Sequence, residues 1–175
     1  MIKNNNLVIN TKRFYLKSIT TSYANKKYRD WLLNPKISKF IHIKPTMKEL
    51  HDYIKKKISK QDTIFLAIHS ITDKAHIGNI KYEPVDIKKK YALMGIMIGE
   101  QNWWGKGAAM EVITASSKFL KEKYLIEEII LVVNESHMSA IKAYEKIGFE
   151  FCSSKYTEQK NNSILTMTLK TKSLY

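Results

Sequence analysis

Gly105-Lys106-Gly107-Ala108-Ala109 is the stretch of this 175-residue chain best suited to chemistry. The two glycines carry no Cβ and the two alanines little more than one, so a ligand can approach the backbone closely. The apolar run at 91–98 reads as a buried strand, 99–102 as a polar turn, and Trp103 onward as the opening of a helix. The first N–H groups of a helix have no internal partner, and the helix dipole adds partial positive charge there. Strand, small-residue turn and helix start together suit a phosphate or pyrophosphate, with Lys106 as a mobile charge beside it. The same turn could also join strand to helix with no ligand. Two nucleotide motifs are absent. No GxxxxGK[ST] occurs, and Met110 stands three residues after Gly107, where a dinucleotide fingerprint needs a third glycine.

A second block follows, Ala140-Ile141-Lys142-Ala143-Tyr144-Glu145-Lys146-Ile147-Gly148-Phe149. The WGKGAAMEV segment resembles the acetyl-CoA loop of the GNAT acetyltransferase superfamily, Q/R-x-x-G-x-G/A, with Gly107 and Ala109 on its small positions. The second block resembles the superfamily's A-I-x-x-Y-E-K-x-G-F signature. Together they cover the chain from about Ile77 to Phe151, in the right order, and are similar to the ribosomal-protein N-terminal acetyltransferase branch.

The resemblance implies an acetyl-CoA-dependent N-acetyltransferase that needs no metal. Acetyl-CoA would lie along Trp104, Gly105, Lys106, Gly107, Ala108 and Ala109, with its pantetheine arm paired to the main chain of Met97, Ile98 and Gly99. Tyr144 matches the tyrosine that protonates the leaving thiolate; read from its helix face alone, without the signature, it is a core aromatic beside Ile141 and Ile147. His137 stands where relatives carry a CoA-contacting Asn, and Asn134 lies one turn earlier as a substitute. Trp104 replaces the usual Gln or Arg. Val132 occupies the place of a basic Glu found in one branch. Glu83, Asp86, Glu100, His137 or a water chain are left as candidates for the base. Cys152 lies beyond the signature, which argues against a covalent cysteine intermediate. The acceptor implied is a small-molecule or peptide amine, with a nucleotide-linked amino sugar preferred and a protein N-terminus as the alternative. An inactive CoA-binding module or a basic nucleic-acid binder are readings of other classes.

The elements that must position these residues form one mixed α/β domain over 1–175. The GNAT resemblance implies a single, mostly antiparallel sheet of about seven strands with about four helices. A first strand falls within 7–19, and Thr20, Thr21 and Ser22 offer a cap for a helix that stops before Asn34-Pro35. Stretch 37–43 is ambiguous between helix and loop. Thr46-Met47-Lys48-Glu49 is a capping box opening a helix to about Ser59. Strands at 63–69 and 75–82 form a hairpin broken by Glu83-Pro84. The helix from Trp103 turns Ala109, Val112, Ile113, Ser116, Phe119 and Leu120 to one side. A strand spans 128–133, a helix 139–147 closed by Gly148, and a last hairpin pairs 151–156 with 164–170 around a polar loop at 158–162. Trp31 and the Asn34-Pro35 turn are expected to wall the acceptor pocket.

Composition narrows the partners. Hydrophobic residues make up 44%, which suits a packed core. The net charge is +14, from 30 basic and 16 acidic residues. Only Arg13 and Arg29 are arginines, and arginine is the residue that reads phosphates and bases best. Specific nucleic-acid binding is therefore not expected, and any binding should fall steeply with salt. No run reaches the ~20 apolar residues of a membrane span, and residues 1–6 lack the core of a signal peptide. With the single Cys152 these features point to a cytoplasmic protein, monomer or homodimer. His42, His51, His69 and His76 read as structural or solvated, and no Cys/His spacing suggests a metal.

Overall fold

The computed structural model describes residues 6–41, 45–153 and 163–175. His42, the 158–162 loop, and the parts of the 1–6, 37–43 and 151–156 expectations at 1–5, 42–43 and 154–156 lie outside them. One eight-stranded sheet runs through the described residues. Its strands are β1 (Val8–Asn10), β2 (Phe14–Ser18), β3 (Ile64–Ser70), β4 (His76–Asp86), β5 (Tyr91–Ile98), β6 (Glu128–Asn134), β7 (Glu150–Phe151) and β8 (Ile164–Lys170). Their spatial order is β1-β2-β3-β4-β5-β6-β8-β7. Every neighbouring pair is antiparallel except β5 with β6, which is parallel. The α helices are α1 (Lys26–Leu33), α2 (Pro35–Ser38), α3 (Met47–Ile58), α4 (Ala108–Tyr124) and α5 (Met138–Ile147).

The sheet is buried on both faces. On one, Val112, Ile113 and Leu120 of α4 and Ile141 of α5 join Phe14, Leu16, Leu66, Ile80, Tyr82, Ile129 and Leu131. On the other, Tyr28, Trp31 and Leu32 of α1 and Leu50 and Ile54 of α3 pack with Phe65 and Ala67. Tyr82 is fully buried, and its hydroxyl shares a 2.8 Å hydrogen bond with Ser116 Oγ, which meets the need of a buried phenol for a partner.

Local chemistry sets the element ends. The Thr46 hydroxyl accepts from the Glu49 N–H at 3.2 Å, and the Glu49 carboxylate accepts from the Thr46 N–H at 2.7 Å, so the capping box forms as expected. Gly148 closes α5 at φ +104°, a region where only glycine is unstrained.

Three expectations are corrected, and one short helix is added. The 7–19 stretch holds two strands, because Thr11 N–H donates to the Phe14 carbonyl and folds the chain back. α1 is capped by Asn25, whose side chain accepts from Tyr28 N–H, and not by 20–22. Asn34 then caps the short α2, with Pro35 in its first turn, which raises the helix count. β4 runs through Glu83-Pro84, because a register shift between Tyr82 and Val85 takes the proline out of the ladder.

Candidate active site

β5 and β6 pair over only three residues, Tyr91↔Glu128, Ala92↔Ile129 and Leu93↔Ile130. Beyond Leu93 both strands run on, β5 held by β4 as far as Gly78↔Ile98 and β6 by β8 as far as Asn134↔Ile164. The two facing edges therefore diverge in the middle of the sheet. A strand edge carries a row of N–H and C=O groups ready to pair with another extended chain.

Backbone direction decides which residues present groups to that gap. Gly99 N–H donates to the Ile77 carbonyl at 2.8 Å, across towards β4. Main-chain groups alternate sides along a strand, so Met97 and Gly95 also point at β4. The Ile98 carbonyl points the other way and accepts from the Trp104 indole N–H at 2.7 Å. Ile98, Ile96 and Met94 thus face the gap. This corrects the expectation for Met97 and Gly99, whose main chains are committed to the sheet. Gly99 has a packing reason to be glycine, since a Cβ there would lie 2.0 Å from the Trp31 ring. Trp31 itself is 6% exposed, so it is a core residue and not a wall of an open pocket.

The gap opens towards the start of α4. Gly105 and Gly107 adopt φ of +70° and +72°, and no side chain caps the helix at Gly107. The first amides of α4 therefore stand free of an internal acceptor. Residues Gly105, Lys106 and Gly107 are exposed, Trp104 and Ala109 half-buried, and Ala108 packs into the core. Trp104, in place of Gln or Arg, gives its one polar group to the Ile98 carbonyl and staples the turn to β5.

A bracket that sequence reasoning missed holds this turn. Arg13 Nε donates to Glu111 Oε2 at 2.7 Å, Arg13 N–H and the Thr11 hydroxyl donate to Oε1 at 2.7 Å each, and an Arg13 guanidinium N–H donates to the Lys106 carbonyl at 2.9 Å. Burial alone would raise the Glu111 pKa, but these hydrogen bonds outweigh it and the carboxyl is held lowered. The scarcity of arginine was the one available signal.

α5 follows the β6 edge of the gap. His137, Ile141 and Tyr144 fall on one stripe of it, at i, i+4 and i+7. The Tyr144 hydroxyl has no hydrogen bond among the described residues, and burial pushes its pKa up to about 12. It stays protonated at neutral pH. Asn134 bends the turn before the helix, its Oδ1 accepting from Ser136 N–H at 2.9 Å and the Ser136 hydroxyl at 2.7 Å. His137 caps nothing with its side chain; its ring stacks on Phe40 with centroids 3.6 Å apart. Phe40 follows α2, so this stack ties the segment after α2 to the turn between β6 and α5. Burial, with a smaller contribution from Lys39, lowers the His137 pKa, which leaves the imidazole neutral at pH 7.

The other base candidates are spoken for. Lys57, Lys60 and Lys81 all contact Glu83 at 2.6–2.8 Å. Burial acts to raise its pKa, yet the three ammonium groups hold it at about 2. Glu100 pairs with Lys27 at 2.9 Å, and Asp86 accepts from Lys89 N–H in a turn. Val132 is 54% exposed. Among the described residues no group of three His, Cys, Asp or Glu could hold a metal ion, and no helix is long and apolar enough to cross a membrane.

A family model described as an acetyltransferase (GNAT) domain matches residues 13–150. An N-alpha-acetyltransferase of Sulfurisphaera tokodaii is 35% identical over 73 residues, 42% of each chain, so the match spans less than half of that relative. RimL, a ribosomal L7/L12 alpha-N-protein acetyltransferase solved with coenzyme A, superposes with TM-score 0.79 at 11% identity, covering 94% of this chain and 98% of that one. Spermidine N-acetyltransferase of Vibrio cholerae, solved with CoA and spermine, gives TM-score 0.78 at 16% identity over 93% and 98%.

Proposed function

The chain belongs to the GNAT acetyltransferase family, and from that premise we propose that it transfers acetyl from acetyl-CoA to a small primary amine at the β5–β6 gap. The divergence of these strands after Leu93↔Ile130, leading from the uncapped start of α4, is the observation that carries the reading. The pyrophosphate takes the α4 amides and the Gly105–Gly107 turn held by Arg13 and Glu111. The pantetheine arm extends along the gap-facing groups of Ile98, Ile96 and Met94. Four strand residues span about 13 Å at ~3.3 Å each, which brings the thioester to the point where the strands part.

There the acceptor amine attacks the thioester carbonyl, and a gap-facing N–H stabilises the oxyanion. The C–S bond then breaks and the sulfur takes up negative charge. Tyr144 donates a hydrogen bond to that sulfur. With its pKa at about 12, complete proton transfer to a thiolate of pKa ~8.5 is uphill, so the phenol acts chiefly by stabilising the developing charge. The attacking ammonium must first lose a proton. His137 is the candidate base that keeps both neutrality and a place beside the gap.

The acceptor class preferred is a small amine, of which a nucleotide-linked amino sugar is one example. Val132, where one branch carries a basic Glu, supports this over a protein N-terminus. The second reading remains protein N-terminal acetylation, favoured by the partial match to the N-alpha-acetyltransferase. Thiol release from acetyl-CoA, measured with amino sugars, polyamines, amino acids and N-terminal peptides, tests both. Turnover confined to peptides replaces the first reading with the second.

A further inference from the structure

β5 carries a glycine that the fold does not require. Gly95 lies mid-strand and exposed, its φ outside the left-handed region, and a Cβ built on it meets nothing within 4 Å. A strand-interior glycine costs stability relative to a larger residue, and one recurrent reason for it, besides a bulge or bend, is close approach of a ligand or another backbone. Gly95 is two residues beyond Leu93, where the gap begins. It is paired with Lys81 of β4, so the two side-chain positions lie next to each other on the face covered by α3.

The charge beside this open ground is out of balance. Lys57 and Lys81 share one oxygen of Glu83 at 2.6 and 2.8 Å, and Lys60 takes the other at 2.6 Å. A second carboxylate, Asp62, also acts on Lys60. Three ammonium groups converge on the single carboxylate of Glu83, an excess of positive charge at that group. The Lys57 and Lys81 side chains are only 19% and 23% exposed, so water screens that excess less than at an open surface. The Tyr53 hydroxyl accepts from Lys81 Nζ at 3.1 Å and fixes the ammonium in place.

We propose that the acceptor carries an anionic group, a phosphate or a carboxylate, that seats against Lys81 and Lys57 beside Gly95 while its amine enters the gap. This rests on the acetyltransferase reading and names the acceptor subsite within it. One cross-strand step of about 5 Å and one or two strand residues set the reach. The anion therefore lies roughly 5–10 Å from the amine, a span suited to a phosphorylated or nucleotide-linked amino sugar. Polyamines are repelled by the same excess charge.

The test compares matched amines by kcat/KM for thiol release: ethanolamine with O-phosphoethanolamine, glucosamine with its 6-phosphate and a nucleotide-linked form, then 4-aminobutyrate and spermidine. At least one anionic amine should exceed its neutral partner about tenfold or more, and the advantage should shrink with salt. The phosphate and carboxylate arms tell the two anions apart. Lys81→Met should abolish the advantage, and Gly95→Val should lower kcat/KM for all acceptors by filling the open ground, both with wild-type acetyl-CoA affinity. Equal use of neutral and anionic amines overturns the proposal. So does a preference that survives Lys81→Met, or acetyl-CoA binding without turnover of any anionic amine. A protein that fails to bind acetyl-CoA removes the acetyltransferase reading itself.

Discussion

Tyr82 and Tyr144 lie on the same side of the sheet and differ in what their hydroxyls touch. Both phenols are pushed up to about 12 by burial. Tyr82 is bonded to Ser116 inside the core, whereas the Tyr144 hydroxyl makes no hydrogen bond among the described residues. The contrast recurs elsewhere. The start of α3 is closed by Thr46 and Glu49, and the start of α4 is left uncapped. One edge of β5 is paired with β4 along the strand, and the other is released after three residues. Tyr82 and the start of α3 satisfy their polar groups within the protein. The Tyr144 hydroxyl, the start of α4 and the released edge of β5 are the places where the proposed ligand would complete them.

The largest effect expected from breaking this contrast is at Tyr144. Tyr144→Phe should lower kcat by ~10²-fold with little change in acetyl-CoA affinity or melting temperature, the pattern of an interaction made in the transition state. Tyr82→Phe should do the reverse, losing about 1 kcal/mol of stability for one net hydrogen bond with turnover intact. Steady-state thiol release beside melting curves separates them. Turnover within about threefold of wild type in folded Tyr144→Phe would make Tyr144 a packing residue. Because its pKa is about 12, kcat should show no alkaline decline from this group up to pH ~11.

A smaller loss is expected at the bracket. Arg13→Ala frees the Lys106 carbonyl and the Glu111 carboxylate together, so the KM for acetyl-CoA should rise about tenfold, about 1.4 kcal/mol, with kcat nearly unchanged. A fall in kcat at constant KM would instead place Arg13 in the chemical step.

The Glu83 cluster makes a pH prediction. Its carboxyl falls from an ordinary 4.5 to about 2 in the folded protein. A depressed carboxylate stabilises the fold above pH 4.5, and that contribution is lost as the pH falls from 4.5 through about 2. With solvent screening allowed for, it amounts to about 1–2 kcal/mol. Urea midpoints at pH 5 and pH 2.5 should differ by less in Glu83→Gln than in wild type. An unchanged difference would exclude the cluster as a source of acid sensitivity.

Features written in neighbouring residues were legible in the sequence. The capping box at Thr46 and Glu49, the strand-turn-helix at 91–124 and the Gly148 cap all rest on contacts within a few positions. Pairings made by folding were not. Arg13 meets Glu111 across 98 positions, and Gly99 is small because of Trp31, far away in sequence. The choice of Ile96 and Ile98 over Met97 and Gly99 depends on strand parity against β4, which no local pattern sets. Pro84 misled because a breaker in isolation is tolerated at a register shift. Gly95 did carry a local signal, a glycine inside an apolar strand, but only the empty space above it gives that signal meaning.

The central claim is that acetyl-CoA completes the uncapped start of α4 and the open edge of β5. Calorimetric titration of acetyl-CoA into wild type, Gly107→Val and Thr46→Ala tests it most directly. Valine at a φ of +72° is strained and puts a side chain into the pyrophosphate path. Affinity should fall at least ~10-fold, about 1.4 kcal/mol. Thr46→Ala should cost about 1 kcal/mol of stability and leave affinity as in wild type. Equal affinities for wild type and a folded Gly107→Val protein would contradict the account.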